Sequence, residues 1–349
     1  MQPRSSTAAP RLAGRRGPRI TAATGALVAA LLLVACTPPT LPDPVVRPQP
    51  AGRGIDPGTA SAPSGGCTGG GPTAPPVGRS VLHLPWAGGT RTALVQVPDL
   101  DGLAPMPLLV SLHPFTLDPA NWEELSGLAD AAVARGYVVV TPLGSQPGPR
   151  WAVPGGLAGI TGTDKGTDDL GFLAALLDTI EDGLCVDRNR EFAAGYSAGA
   201  AMSQALSCTM PWRFAAVAGS GGVNLTSLCP ASPPTDVFVL HGTADTIAPL
   251  TGSQVPFATP LGLPVADVVA TDAARAGCDP APTASTPVVA VEALTFGGCD
   301  GDHRVQYWRM LGAGHAWAGA NASLVGLFVG RTPTDFSATE AVLDFFDAA

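Results

Sequence analysis

The chemistry open to this chain begins at a serine set between glycines. Ser197 stands in EFAAGYSAGAAM (191–202), with Gly195 and Gly199 two residues to either side. A serine so placed can attack a carbonyl carbon if a neighbouring base takes its proton. The pattern is weak alone: with 43 glycines in 349 residues, chance supplies about 0.3 matches per chain. Its setting strengthens it, because REFAAG reads as a strand entering the motif and SAGAAMSQALSC as a helix leaving it. The base must come from His83, His113, His241, His303 or His315. His303 starts a predicted strand and His241 ends one, whereas His315 lies in the Gly-rich loop GAGHAWAG after the last strand. The acid that orients the base belongs in the loop after the preceding sheet strand. VFVLHGTADTIAP places Asp245 there, while Asp236 precedes that strand and Asp272 falls on a predicted helix. Asp245 also suits a second use, capping the next short helix. A tetrahedral intermediate needs N–H donors. One is the backbone N–H of Ala198, and the other belongs to LHPFT; Pro114 has no N–H, so Phe115 is the candidate, with Thr116 in reserve.

These residues need a scaffold that brings distant loops together. Short apolar runs alternate with helical patterns, which predicts a mostly parallel sheet covered on both faces. Strands are expected at 92–98 (paired antiparallel with 81–84), 107–113, 137–142, 190–195, 214–220, 236–242 and 304–311. Helices are expected at 122–136, 168–183, 197–208, 265–277 and 339–348, and residues 143–167 form a long Gly- and Pro-rich loop.

The N-terminal region reads differently. Arg4, Arg11, Arg15, Arg16 and Arg19 precede an uncharged apolar run from Ile20 to Ala35, the pattern of an export signal over residues 1–35. Arg15-Arg16 is a weak twin-arginine hint. Leu33-Val34-Ala35-Cys36 resembles the lipobox of bacterial lipoproteins, with Cys36 as the lipid acceptor; an ordinary signal with an incidental cysteine is the alternative. Residues 36–66 are rich in Pro, Gly, Ser and Thr and read as a tether, leaving 67–349 as one domain. The five leader arginines removed, 14 basic residues face 28 acidic ones, a net charge of −14. Nucleic acid and anionic surfaces are therefore poor partners, and membrane association is expected through the lipid alone. Cys67, Cys185, Cys208, Cys229, Cys278 and Cys299 make an even set in an exported chain, which favours disulfides; no spacing suggests a metal.

PLLVSLHPF, YVVVTP, DDLGFLAALLD, GYSAG, LHGTADTIAP and GAGHAW together resemble secreted esterases of the polyhydroxybutyrate depolymerase and feruloyl esterase type. The resemblance runs through most of residues 80–320. It implies an α/β-hydrolase fold without metal or cofactor, with Ser197 as nucleophile, Asp245 as orienting acid and His315 as base. It also places Trp151 and Trp317 where that family lines its ester cleft, although aromatic packing suits both equally. It suggests Cys208–Cys229 and Cys278–Cys299 bridges, leaving Cys67–Cys185 by elimination. His113-Pro114 stands where the family usually has His-Gly. No separate polymer-binding domain is expected, which favours a small ester or oligomer over a crystalline solid. The implied activity is hydrolysis of carboxylic esters (hydroxyalkanoate, feruloyl, aryl or acetyl). A serine peptidase and a non-catalytic binding lipoprotein are the rivals.

Overall fold

A computed structural model describes residues 61–69, 74–100, 104–145, 149–156, 167–252, 262–320 and 330–349. The chain divides into two units, Met1–Thr37 and Pro38–Ala349, and every described residue belongs to the second. The expected export signal, Cys36 and most of the tether lie outside the described residues, as do 146–148 and 157–166 of the long loop.

Ten strands form one sheet in the order β1-β2-β4-β3-β5-β6-β7-β10-β9-β8. They are β1 (Gly78–Trp86), β2 (Gly89–Val97), β3 (Met106–Leu112), β4 (Val138–Pro142), β5 (Val186–Tyr196), β6 (Ala216–Ser220), β7 (Asp236–Gly242), β8 (Thr283–Ser285), β9 (Val291–Phe296) and β10 (Val305–Met310). The six from β4 to β10 in the middle of this order run parallel. The antiparallel β1–β2 pair flanks one edge and the β9–β8 pair the other. The sequence reading had no place for β8 or β9. Thr283–Ser285 is polar and exposed, so no hydrophobic alternation marks it.

Side chains alternate across the parallel strands and feed two cores. β3 sends Leu108, Val110 and Leu112 to one side and Leu109 to the other. The first core is closed by α3 (Asp169–Gly183), α4 (Ala198–Thr209) and α5 (Val265–Arg275). The second is closed by α1 (Pro119–Ser126), α2 (Leu128–Ala134) and α6 (Ala338–Asp347). The single helix expected over 122–136 is two. Asp118 caps α1 by accepting from the Asn121 N–H at 3.0 Å with Pro119 in the first turn, three residues before the expected start. Gly127, at φ 63°, then ends α1 in the left-handed region and redirects the chain into α2.

Three disulfides join Cys67–Cys185, Cys208–Cys229 and Cys278–Cys299. The expected tether end at residue 66 falls too late, because the backbone is already fastened upstream. Ser64 N–H donates to Val186 O at 2.8 Å, and Arg188 N–H donates to Ala62 O at 3.0 Å. The Ser64 hydroxyl donates to Leu184 O at 2.7 Å, so residues 62–67 strap the start of β5.

Candidate active site

The parallel strands deliver Ser197, Asp245 and His315 to one end of the sheet. β5 ends at Tyr196, α4 begins at Ala198, and Ser197 between them sits at φ 55°, ψ −118°. A non-glycine residue at positive φ is strained, and it persists only where its surroundings over-determine it. Here they do. A Cβ on Gly195 would lie 2.4 Å from the Gly199 backbone, and one on Gly199 would lie 2.0 Å from Leu112 O. Only glycine permits that approach, which is the physical content of the Gly-x-Ser-x-Gly spacing. The Ser197 N–H is taken by Ser220 O at 2.9 Å, leaving the hydroxyl to face the loops.

His315 follows β10, and its Nε2 stands 2.9 Å from Ser197 Oγ while its Nδ1 stands 2.8 Å from Asp245 Oδ2. The loop is held from beneath: the Tyr196 hydroxyl donates to His315 O at 2.7 Å and the Ser220 hydroxyl to Ala316 O at 2.8 Å. Asp245, after β7, accepts at Oδ1 from the N–H groups of Ile247 and Ala248, each at 2.8 Å. Burial would raise its pKa. The nearby imidazoles of His241 and His315 and the Ala248 N–H outweigh that and hold the carboxyl below the usual range. It is therefore ionised beside a base whose Nδ1 proton it can orient.

The loop after β3 is built around a second buried imidazole. His113 Nε2 accepts from the Gly144 N–H at 2.9 Å, so its proton must be on Nδ1, which donates to Pro114 O at 2.8 Å. Burial pushes His113 down to about 4, in keeping with a neutral ring. In a trans peptide the C=O and the next N–H point in opposite directions, so holding Pro114 O aims the Phe115 N–H the other way. Among the described residues nothing accepts from that N–H. Ala198, first in α4, likewise has an N–H with no intrahelical acceptor, at the positive end of the helix. Thr116 is removed as a reserve donor, because its N–H is spent on Pro149 O at 2.9 Å.

The two tryptophans are not open walls. Trp151 is fully buried, stacks on His113 with centroids 4.7 Å apart, and donates from Nε1 to His113 O at 2.8 Å. Trp317 is 2% exposed, meets Trp122 edge-on at 5.2 Å and donates to Thr339 Oγ1 at 2.9 Å. The expectation that they line a cleft is corrected: each supports a loop from inside. Among the described residues, Phe115, 38% exposed, is an aromatic side chain presented to solvent on this rim. His113 and His241, candidates for the base in the sequence, act instead as supports; each stands at the end of a strand, two residues before Phe115 and four before Asp245. Among the described residues no His, Cys, Asp and Glu side chains gather into a metal-holding group.

No family model matches the chain. Among solved structures it is similar to the acetyl xylan esterase from Aspergillus awamori, with a TM-score of 0.52 at 18% identity over 77% of this chain and 100% of that one. The chain has the α/β-hydrolase fold. In sequence, this α/β-hydrolase-fold protein is similar to feruloyl esterase B of Piromyces equi, 30% identical over 237 residues, or 65% of this chain and 42% of that protein. It is also similar to feruloyl esterase D of Neurospora crassa, 33% identical over 109 residues, or 31% of this chain and 37% of the relative. The chain thus spans about two fifths of the length of these relatives.

Proposed function

We propose that this chain is a serine carboxylic-ester hydrolase working through an acyl-enzyme. The observation that carries the reading is the unbroken line from Ser197 Oγ through His315 to Asp245, with links of 2.9 and 2.8 Å, at a strained strand–helix turn. Ser197 Oγ attacks the ester carbonyl as His315 Nε2 takes its proton, and Asp245 stabilises the imidazolium that forms. The carbonyl oxygen, now an oxyanion, is received by the N–H groups of Ala198 and Phe115. His315 returns the proton to the departing alcohol, leaving Ser197 acylated. Water, deprotonated by the same imidazole, then releases the acid and restores the serine.

The relatives support feruloyl or acetyl esters as the substrate class, and the exposed Phe115 suits an aromatic or apolar acyl group. Three disulfides support an oxidising, extracytoplasmic compartment. Lipid anchoring at Cys36 rests on the lipobox resemblance alone. Activity is tested by fluorophosphonate labelling with peptide mapping, alongside methyl ferulate, acetylated xylan, hydroxybutyrate oligomers and a peptide panel. Label on Ser197 with ester turnover lost in Ser197→Ala supports the reading. Unlabelled Ser197 with unchanged turnover in that variant overturns it.

A further inference from the structure

Asp245 has a neighbour that the reaction sequence above does not use. His241, the penultimate residue of β7, is fully buried. Its Nε2 lies 2.7 Å from Ala248 O and 3.4 Å from Asp245 Oδ2, the same oxygen that meets His315. A carbonyl can only accept, so Nε2 carries the proton. Nδ1 is enclosed and has no partner among the described residues. An aliphatic side chain would fill this space without an orphaned lone pair. What the imidazole adds is one N–H, aimed across the turn that carries the acid.

That turn is short and needs fastening. Thr243 N–H donates to Met310 O at 3.0 Å and Ala244 N–H to Ala313 O at 2.8 Å, which ties its first half to the His315 loop. Its second half is tied to Asp245 itself through the Ile247 and Ala248 N–H groups. His241 closes the circuit by holding Ala248 O from the strand end. Other ionisable groups near this corner are His315 from the β10 loop and the Tyr196 phenol from β5, whose ring lies 5.1 Å from that of His315. Arg309 on β10, the register partner of His241, is paired with Glu292 of β9 at 2.6 Å.

We infer that His241 is a positioning residue for the catalytic acid, pinning the Gly242–Ala248 turn so that Asp245 presents Oδ2 to His315. This rests on the esterase reading, in which Asp245 orients the base. Loss of the N–H lets the turn drift, so the carboxylate meets His315 Nδ1 less squarely and stabilises the imidazolium formed during turnover less well.

The test compares H241L, H241N and H241Q in the full chain. Glutamine places an amide N–H near the Nε2 position, whereas asparagine places it near Nδ1, short of Ala248 O. Turnover of p-nitrophenyl acetate should fall about tenfold in kcat in H241L and H241N, with KM within about twofold. H241Q should recover most of the loss. H241N, being polar and smaller, keeps the comparison available if H241L fails to fold. The low-field Nδ1 proton resonance of His315 gives a readout without turnover: present in the unsubstituted protein, shifted or lost in H241N, restored in H241Q. Unchanged kcat in a folded H241N, or an H241Q as impaired as H241N, overturns the inference. An unsubstituted protein that neither turns over the ester nor accepts fluorophosphonate at Ser197 overturns the esterase reading instead. The resonance pattern then still decides whether His241 positions Asp245.

Discussion

Just before β6, Arg213 is buried with two carboxyl groups and reaches a third at the surface: its Nε lies 3.1 Å from the buried Glu191, its Nη2 bonds the buried Glu181, and its Nη1 lies 2.8 Å from the exposed Asp178. At the other end of the same sheet, Asp245 is enclosed with N–H groups from two backbone amides and the His315 imidazole, and His241 stands close by. The first arrangement crowds carboxyl groups around one guanidinium. Burial lifts Glu191 far above the usual carboxylate range; Arg213 opposes that, and Glu181 adds to it. The second surrounds one carboxylate with directional donors and keeps its pKa low. A charged cluster tolerates small shifts of angle but fails when one member is lost. A ring of N–H donors defines where an atom sits. The contrast predicts that one end controls stability and the other controls rate.

The largest expected effect is on rate. Ser197→Ala should lower kcat by about 10⁵-fold, while the melting temperature stays level or rises, because the change removes no packed group. A large fall in melting temperature would mean that the two ends are not separate in this sense. Arg213→Met should do the converse. It strands buried carboxylates and should cost about 3–5 kcal/mol in urea unfolding, while kcat per labelled Ser197 is unchanged. A kcat loss in the folded fraction would break the comparison.

A smaller effect acts through pH. His113 is pushed to about 4 by burial, against 6.5 for an ordinary imidazole. Between these values the unfolded chain binds a proton that the folded chain refuses, so stability falls as pH drops through that window, by up to about 3 kcal/mol. Below it the loss levels off. Urea titrations from pH 7 to 4 check this against His113→Asn, which keeps a donor toward Pro114 O and cannot take the proton. Matching slopes in the two proteins would assign the acid loss to other groups. The smallest effect concerns Gly127, where φ is 63°. Gly127→Ala should cost about 1 kcal/mol, seen as a lower urea midpoint without a change in kcat.

Ser197, Asp245 and His315 were legible because each follows a strand with a hydrophobic signal, and position relative to the strands then ranks the histidines. Most parallel strands were legible for the same reason, being continuous apolar runs. The supports were not. His113 and His241 act through ring tautomers and backbone carbonyls, which depend on how loops from four strands meet. Trp151 and Trp317 show the same limit: composition cannot tell an aromatic that faces a cleft from one that props the loop behind it. The α1–α2 break was legible in principle, since Asp118-Pro119 and Gly127 carry ordinary start and stop signals. The apolar periodicity running through them concealed both. Residues 62–66 read as tether because their composition is poor, yet backbone hydrogen bonds to 184–188 need no large side chains.

That strap has a mechanical consequence. The Cys67–Cys185 bridge joins the upstream chain to the residue just before β5, and Ser197 stands immediately beyond the strand's other end. A pull on the chain above residue 62 therefore bypasses residues 68–184. It enters β5 directly and travels its 11 residues, about 35 Å at the usual rise, to the serine. Tension between an upstream attachment and a substrate held at Ser197 would run along one hydrogen-bonded central strand. Its hydrogen bonds to β3 and β6 would pass part of that load sideways into the neighbouring strands.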